Sequence, residues 1–272
     1  MAKFENSMPP VMILCGGKGT RLRDVTEVLP KPMVPIGEQP IVWHIMKSYA
    51  AFGVRRFILC LGYKREAFVD YFMNYHLRTS DATITLGHEP SLVFHGDTRE
   101  ADWQVTLAGT GFETMTGGRV VRAAKYLAPE DEDFFLTYGD GVADIDISAL
   151  YERHRSGGAA LTISAVHPEA RFGELRLDGD RVLGFEEKPA QAEGFINGGF
   201  MVVSRSFLAD YLPQGDDDVF FEREPMERCA AAGRMQVYKH HGFWQCMDNQ
   251  REYHLLNSLW NSGAAPWTKY WK

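Results

Sequence analysis

Apolar runs typical of buried strands alternate along the chain with segments whose apolar residues recur at helical spacing. Residues 11–15, 56–61 and 134–138 form short, mostly apolar runs, and each ends at a turn that contains glycine. Between the first two runs, Ile41 and Ile45 stand four positions apart, as on the buried face of a helix. Alternating strands and helices of this kind predict βαβ units and a mainly parallel sheet.

The same patterning continues to the end of the chain. It predicts further strands at residues 83–86, 93–94, 103–107, 160–166, 200–203 and 235–239. It predicts further helices at residues 68–75, 117–126, 146–155, 207–212, 225–232 and 252–260. Two strand-like runs, residues 175–177 and 182–185, flank Asp178-Gly179-Asp180, which is typical of a hairpin.

These elements predict an α/β fold. We expect a Rossmann-like mixed, mainly parallel sheet flanked by helices, with a hairpin and a helical C-terminal cap. No internal repeat or low-complexity linker interrupts the sequence. We therefore expect a single domain over residues 1–272.

The first strand runs into a basic loop that is rich in glycine. From the strand end its sequence is Cys15-Gly16-Gly17-Lys18-Gly19-Thr20-Arg21-Leu22. Glycines leave backbone N–H groups uncovered, and such groups can cradle a phosphate. Lys18 and Arg21 add positive charge, and Lys31 follows between two prolines that restrict its backbone. The stretch is typical of an anion clamp for a nucleoside triphosphate; a plain glycine-rich turn from strand to helix is the alternative.

Two well-known glycine loops do not fit this stretch. The Walker pattern requires Ser or Thr after Gly-Lys, but Gly17-Lys18 is followed by Gly19, and Met12 stands where the first glycine belongs. The dinucleotide pattern can begin at Gly17, but its third glycine position is Leu22. These differences argue against a P-loop kinase and against a usual Rossmann dehydrogenase.

The longer pattern is more specific. Gly-Gly-x-Gly-Thr-Arg-Leu followed by Pro-Lys-Pro-Met-Val resembles the signature of the sugar-1-phosphate nucleotidylyltransferases. Five further segments resemble the glucose-1-phosphate cytidylyltransferase branch of that family: residues 40–46, 137–144, 187–189, 196–200 and 242–248. Two positions depart from the family pattern. Cys15 replaces the usual alanine, and Lys18 replaces a residue that is often apolar in that branch.

The resemblance implies a reaction in which an oxygen of glucose 1-phosphate attacks the α-phosphorus of CTP, giving CDP-glucose and pyrophosphate. Catalysis then rests on positioning and charge stabilisation. Arg21 would grip the β- and γ-phosphates through its planar donor fork. Lys31 would neutralise charge at the α-phosphate. The family places Mg²⁺ on an aspartate pair, which maps onto Asp140 and Asp248. The catalytic residues that the resemblance implies are Arg21, Lys31 and Asp140.

The resemblance also implies two binding sets, with a nucleotide part at about residues 9–145 and a sugar and cap part at 146–272. The expected nucleotide-binding residues are Leu14, Cys15, Gly16, Gly17, Lys18, Gly19, Thr20, Arg21, Lys31, Thr114, Gly118, Arg119, Gly139 and Asp140. The expected sugar-phosphate-binding residues are Gly173, Glu187, Lys188 and Asn197. Arg119 is the candidate reader of the cytosine edge, because a guanidinium can face its O2 and N3 acceptors.

Several of these residues also have ordinary structural interpretations. Asp140 sits between two glycines and can be a turn former. Asp248-Asn249 looks locally like a helix N-cap, and Glu186-Glu187-Lys188 like a charged strand end. The acidic run Asp216-Asp217-Asp218 is typical of a solvated loop. His240 and His241 are adjacent on a strand, so they point to opposite faces and do not suit one metal ion.

Composition narrows the class of partner. The 272 residues are 45% hydrophobic and 24% charged, as in an ordinary globular protein, and the net charge of −7 argues against nucleic acid as a partner. The four cysteines form no C-x-x-C pair, which suits a reducing cytoplasm. The N-terminus lacks a signal-peptide layout, and no run is long enough to span a membrane.

Two alternative functions remain, one with the same nucleotidyl-transfer reaction and one without catalysis. The same reaction could use another base or sugar, as in uridylyl- or thymidylyltransferases. A non-catalytic nucleotide-sugar sensor would be expected to lack phosphate or metal ligands, whereas this sequence retains them. The resemblance further implies a homo-oligomer and a role in the biosynthesis of bacterial surface polysaccharide such as O-antigen. The aromatic residues near the C-terminus, from Trp260 to Trp271, are expected to serve packing or a subunit contact.

Overall fold

The computed structural model describes most of the chain. The described residues are 8–17, 19, 28–88, 90–96, 100–168, 174–178, 181–186 and 194–271. Six of the expected site residues lie outside them: Lys18, Thr20, Arg21, Gly173, Glu187 and Lys188.

A seven-stranded sheet forms the centre of the molecule, in the order β14-β10-β13-β8-β1-β4-β7. Its strands are β1 (Val11–Leu14), β4 (Arg56–Leu61), β7 (Gln104–Gly109), β8 (Asp133–Tyr138), β10 (Leu161–Val166), β13 (Ile196–Ser204) and β14 (Met235–Lys239). Neighbouring strands are parallel except at β13, which runs antiparallel to both β8 and β10. The expected mixed and mainly parallel sheet is therefore confirmed.

Eight α-helices are described, and their apolar faces pack on the two faces of this sheet. They are α1 (Ile41–Ala50), α2 (Arg65–Met73), α3 (Tyr75–Thr79), α4 (Thr116–Ala123), α5 (Ile147–Gly157), α6 (Arg205–Tyr211), α7 (Glu224–Ala231) and α8 (Gln250–Asn261). One core layer contains buried residues of α1, α2, α5 and α8, and the other those of α4, α6 and α7. Among the described helices, none combines the length and the apolar character needed to cross a lipid bilayer.

The first strand shows why the sequence pattern led to the right architecture. All four residues of β1 are buried, and they alternate between layers: Val11 and Ile13 join one core cluster, Met12 and Leu14 the other. A strand covered on both faces needs a continuous apolar run, which is what the sequence contains. β1 pairs in parallel with β4 on one side and β8 on the other, so the residues after all three strands share one edge.

Local signals fix several helix ends. Asp146 caps α5 with its side chain, which accepts a hydrogen bond from the Ala149 N–H at 2.9 Å. Gly158 ends the same helix with φ of +60°, a left-handed conformation that glycine adopts without strain. The predicted helix over residues 68–75 is instead two helices. Asn74 separates them, and its side-chain Nδ2 donates to the backbone carbonyl of Asp70 at 2.9 Å.

The described residues also form four two-stranded sheets. The predicted hairpin is present as β11 (Glu174–Asp178) and β12 (Arg181–Glu186), while residues 179 and 180 of its turn lie outside the described chain. β5 (Asp81–Thr85) pairs with β6 (Ser91–His95), and these overlap the strands expected at residues 83–86 and 93–94. Two short pairs were not predicted. They are β2 (Pro35–Ile36) with β3 (Gln39–Pro40), and β9 (Gly141–Ala143) with β15 (Trp244–Cys246).

The aromatic C-terminal segment packs on α1. Trp267 is 1% exposed, and its indole N–H donates to Nδ1 of His44 at 3.3 Å. The indole N–H of Trp271 donates to the hydroxyl of Ser48 at 3.3 Å. The expected packing role of this segment is therefore observed.

Candidate active site

A cleft opens beyond the carboxyl ends of β1 and β8, where open α/β sheets bind their ligands. The cavity has a volume of about 570 Å³. It is lined by Leu14, Cys15, Gly16, Gly17, Gly19, Lys31, Pro32, Phe112, Glu113, Thr114, Met115, Thr116, Arg119, Tyr138, Gly139, Asp140, Phe220 and Asp248. The two glycine-rich turns and Asp248 thus share one cavity, as the family resemblance implied.

The two glycine turns approach each other closely at the floor of the cleft. A Cβ added to Gly139 would lie 2.8 Å from Cγ of Pro32, 3.0 Å from Sγ of Cys15 and 3.1 Å from the carbonyl oxygen of Leu14. The Gly139 N–H donates to that same Leu14 carbonyl at 3.1 Å. Any side chain at residue 139 would push the turn after β8 away from the loop after β1.

Lys31 joins the two aspartates that the resemblance assigned to a metal. Its Nζ lies 2.6 Å from Oδ2 of Asp140 and 2.5 Å from Oδ1 of Asp248. Burial acts to lower the pKa of Lys31, but the two carboxylates outweigh it, and the pKa is raised above its ordinary value. Lys31 is therefore a charged ammonium between two carboxylates.

The unpredicted pair of β9 and β15 explains how residues far apart in sequence converge. Cys246 is opposite Gly141 in the register of this pair, and the Met247 N–H donates to the Asp140 carbonyl at 2.8 Å. This backbone pairing carries Asp248 to the side of Asp140. Strands of three residues are too short to show a period in the sequence, so only the family resemblance pointed to the contact.

The helix N-cap suggested by the pair Asp248-Asn249 is present, but Asn249 and not Asp248 provides it. The N-cap of α8 is the next residue, Asn249, whose side chain accepts from the Glu252 N–H at 3.1 Å. Glu252 in turn accepts from the Asp248 N–H at 2.5 Å. The helix start thus holds the backbone of Asp248 and leaves its carboxylate for the cleft.

The carboxylate pair fits a divalent cation in both charge and donor type. Carboxylate oxygens are preferred ligands of Mg²⁺, and here two of them already converge on one positive charge. Cys246 is a further neighbour, with Sγ 3.6 Å from Oδ2 of Asp248. Burial, together with Asp248 and Glu252, raises the pKa of the Cys246 thiol to about 12.

The expected base-reading residues occupy three different positions. Thr114 lines the cavity. Gly118 does not line it but packs beneath the loop of residues 216–217, since an added Cβ would lie 3.0 Å from the Asp216 carbonyl oxygen. Arg119 lines the cavity, is 5% exposed, and donates to the carbonyls of Gly111, Phe112, Gly16 and Leu61 and to the hydroxyl of Thr110. Its fork therefore ties the loop after β7 to the glycine loop after β1.

A smaller cavity of about 40 Å³ continues from Asp140 toward β13. Asn197, an expected sugar-binding residue, lines it, and its Oδ1 accepts from the Gly199 N–H at 2.9 Å. Trp244 also lines it and donates from its indole N–H to the Gly198 carbonyl at 2.7 Å. Asn197, one of the expected sugar-binding residues, therefore shares a cavity with Asp140.

Tyr138 was not predicted as a site residue, yet it lines both cavities. Burial and Glu222 raise the pKa of its phenol, so the hydroxyl stays protonated and donates to Oε1 of Glu222 at 2.6 Å. The other oxygen of Glu222 accepts from the Thr116 hydroxyl at 2.6 Å. Glu222 lies 84 positions beyond Tyr138, and no spacing in the sequence signals this contact.

The adjacent histidines were expected on a strand, but β14 ends at Lys239 and both follow it. Their surroundings nevertheless differ. Nε2 of His240 lies 3.0 Å from a carboxylate oxygen of Asp144. The ring of His241 lies 5.6 Å from that of His167 and 5.7 Å from that of Phe195.

Comparison with known proteins gives consistent matches over nearly the whole chain. A family model described as nucleotidyl transferase matches residues 10–247. A glucose-1-phosphate cytidylyltransferase of Salmonella typhi is 44% identical over 261 residues, which cover 96% of this chain and 99% of that protein. A probable glucose-1-phosphate cytidylyltransferase of Bacillus subtilis (strain 168) is 41% identical, with the same coverage.

Solved structures share the fold. The crystal structure of HddC from Yersinia pseudotuberculosis has a TM-score of 0.64 and 26% identity, and the match covers 93% of this chain and all of that one. A putative glucose-1-phosphate thymidylyltransferase from Bacillus anthracis has the same TM-score with 13% identity, covering 95% of this chain and 96% of that one. The fold therefore also occurs in proteins of distant sequence.

Proposed function

Because the chain belongs to the nucleotidyl transferase family, we propose that it transfers the cytidylyl group of CTP to glucose 1-phosphate and releases pyrophosphate. The likeness to the Salmonella typhi cytidylyltransferase over nearly the full length of both chains supports this choice of base and sugar. The chemistry is supported by one observation above all: Lys31, Asp140 and Asp248 converge at the cleft floor.

Asp140 and Asp248 would hold the divalent cation, which we propose to be Mg²⁺. When bound, the cation supplies charge stabilisation for the phosphate oxygens at the reacting centre. Lys31 stabilises the negative charge that develops at the α-phosphate, since its ammonium lies at the same floor. The attacking sugar phosphate is already anionic, so positioning and charge stabilisation suffice without a protein nucleophile.

The remaining assignments follow the glycine loop and the second cavity. We propose that Gly16, Gly17 and Gly19 present backbone N–H groups to the phosphates, with Lys18, Thr20 and Arg21 completing the clamp. We propose that Asn197 binds a sugar hydroxyl, with Gly173, Glu187 and Lys188 forming the rest of the sugar-phosphate site. In this arrangement residues 9–145 bind mainly the nucleotide and residues 146–272 bind the sugar and cover the cleft.

Base selection is proposed to lie in the loop after β7. Thr114 lines the cavity there, and Arg119 holds the carbonyls of Gly111 and Phe112 in place. A backbone acceptor in this loop can accept from the cytosine amino group, while Arg119 faces O2 and N3 only if it exchanges some of its present acceptors. Gly118 contributes by letting α4 lie close beneath residues 216–217.

Pyrophosphate release measured with glucose 1-phosphate and each of CTP, UTP and dTTP tests this function. We expect CTP to be preferred at least tenfold in kcat/KM. Asp140→Asn should lower kcat at least 100-fold, because it removes a charged cation ligand. A preference for UTP or dTTP would change the base assignment, and binding of CTP without turnover under any divalent cation would favour the sensor.

We further propose that the protein acts in the cytoplasm as a homo-oligomer that supplies sugar nucleotides for surface polysaccharide. The support for assembly is the β5–β6 hairpin, which carries exposed apolar side chains. They are Ile84, Leu86, Leu92, Val93 and Phe94. A two-stranded hairpin is marginally stable without further packing, so a second copy of the chain is the proposed cover.

A further inference from the structure

The ammonium of Lys31 lies where the proposed cation would be held. Its Nζ is 2.6 Å from the Asp140 carboxylate and 2.5 Å from the Asp248 carboxylate. Those two oxygens are therefore no more than about 5 Å apart, and two oxygens on opposite sides of an octahedral Mg²⁺ are separated by about 4 Å. A cation that uses both oxygens would need the space that the Lys31 nitrogen now fills.

Charge prevents the Lys31 ammonium and a divalent cation from binding the two carboxylates at the same time. Asp140 and Asp248 together carry two negative charges, which a divalent cation alone would neutralise. Adding the ammonium of Lys31 would place like charges within a few ångströms in a partly buried site, where each such contact is costly. Lys31 must move away from the carboxylates before the cation can use them.

Lys31 has one favourable place to go. Its backbone is fixed by Pro30 and Pro32 in a single turn of 3₁₀ helix, Lys31–Met33, so only the side chain can move. The side chain is 12% exposed and lines the large cavity. A triphosphate in that cavity would bring several negative charges and a new partner for the ammonium.

The geometry points to Lys31 as a competitor of the cation. Its ammonium leaves the two carboxylates only when the cation binds together with a nucleoside triphosphate. The ligand of this site is then the metal–nucleotide complex rather than the free cation. This inference rests on the proposed function, because it takes the aspartate pair as the cation site and the cavity as the triphosphate site. It defines which form of substrate the protein recognises.

Binding of Mn²⁺, followed as loss of the free-ion electron paramagnetic resonance signal, tests the inference without turnover. For the unchanged protein we expect Mn²⁺ to bind at least tenfold more tightly with an α,β-methylene analogue of CTP than alone, after subtraction of the Mn²⁺–analogue complex measured without protein. Lys31→Met removes the ammonium and keeps an apolar stem of similar shape. It should raise the affinity for Mn²⁺ alone at least tenfold and shrink the effect of the nucleotide analogue.

Two variants locate the effect. In the double variant Lys31→Met with Asp140→Asn, the gained affinity for Mn²⁺ should be lost, because one ligand is missing. Lys31→Gln repeats the test in case Lys31→Met fails to fold, and a melting temperature raised by Mn²⁺ in either variant supports the same conclusion. Equal Mn²⁺ affinity in Lys31→Met, Lys31→Gln and the unchanged protein would overturn the inference.

The outcome is separable from that of the proposed function. Turnover of CTP that depends on Asp140, together with Mn²⁺ binding that ignores Lys31, would leave the function standing and overturn this inference. Absence of turnover with any triphosphate would reject the function, while the Mn²⁺ contrast between Lys31 variants would still decide whether Lys31 competes with the cation.

Discussion

Single residues set the close contacts on which the cleft depends, and Gly139 is the clearest of them. A Cβ at this position would meet a proline ring, a buried thiol and a backbone carbonyl, all within 3.1 Å. None of these groups is the free end of a flexible side chain. The turn that carries Asp140 can therefore reach the glycine loop only because residue 139 has no side chain.

Gly139→Ala is expected to lower the free energy of unfolding by about 1 to 3 kcal/mol, the usual range for forcing extra volume into a packed region. Urea unfolding measures this difference. Gly17→Ala is the matched control, because an added Cβ there meets nothing within 4 Å. It should change stability by less than about 0.5 kcal/mol. Equal losses for the two variants would contradict the role given to Gly139.

His44 provides a residue-scale prediction about pH. Its ring is buried, Nε2 donates to the Ile36 carbonyl at 2.9 Å, and Nδ1 accepts from Trp267, so the neutral form is held. Burial lowers the pKa of His44 to about 4, below the unfolded value of about 6.5. The unfolded chain therefore binds the extra proton first, and the stabilisation is complete above pH 6.5 and is lost as the pH falls toward 4.

From pH 7.5 to pH 5 this group alone should reduce the free energy of unfolding by about 2 kcal/mol. Carboxyl groups also titrate in that range. The measurement is therefore the difference in free energy of unfolding between the unchanged protein and His44→Leu at each pH. The variant will be less stable at pH 7.5, but its stability should fall less steeply with acid. If the free energies of unfolding of the two proteins fell in parallel with pH, protonation of His44 would not contribute to the loss of stability.

At the scale of secondary-structure elements, the short pair of β9 and β15 assembles the site. The sequence was sufficient for the long elements: β4 and β14 have the predicted limits, and β1 is shorter by one residue. Their apolar runs report burial on both faces directly. Strands of two or three residues have no measurable period, so the sequence pattern did not predict β9 and β15. These strands nevertheless bring Asp248 beside Asp140.

Trp244 of β15 yields a prediction at this scale, because it also fastens the start of β13. Its indole N–H donates to the Gly198 carbonyl, next to the proposed sugar-binding Asn197. Trp244→Phe leaves that carbonyl without its donor, which typically costs about 1 to 3 kcal/mol. We expect KM for glucose 1-phosphate to rise about tenfold while KM for CTP changes less than twofold.

Steady-state kinetics with each substrate varied in turn separates the two constants. Trp271→Phe is the matched control, since it also loses an indole hydrogen bond, here to Ser48 of α1, and neither residue lines the two cavities. It should leave both KM values unchanged. An equal rise in both constants for Trp244→Phe would indicate a general loss of structure rather than a local effect on the sugar site.

At the scale of the whole molecule, the site depends on contacts that no local pattern contains. Lys31 and Asp248 are 217 positions apart and share a hydrogen bond. The sequence supplied the proline-framed lysine and the glycine-framed Asp140 as candidates on local grounds, while the family resemblance supplied Asp248. The contact of Tyr138 with Glu222 was supplied by neither, since tertiary packing of the loop before α7 creates it.

Assembly is the remaining property at this scale, and the β5–β6 hairpin carries the prediction. Ile84 is 57% exposed, Leu92 45% and Phe94 39%, and the register of the hairpin puts these three on one face. In the described part of the chain neither strand has a second strand neighbour. An exposed apolar face of this kind is typical of an interaction site. Light scattering after size exclusion should therefore give a mass that is a multiple of 30.8 kDa.

Leu86→Lys should shift that mass toward 30.8 kDa at micromolar concentration, because a charge at the centre of an apolar interface must be desolvated without a partner. Leu183→Lys makes the same change on the other hairpin, at a residue that is 51% exposed, and should leave the mass unaltered. A monomeric mass for the unchanged protein would reject assembly altogether. Dissociation by Leu183→Lys but not by Leu86→Lys would move the interface to the β11–β12 hairpin, which borders the proposed sugar site.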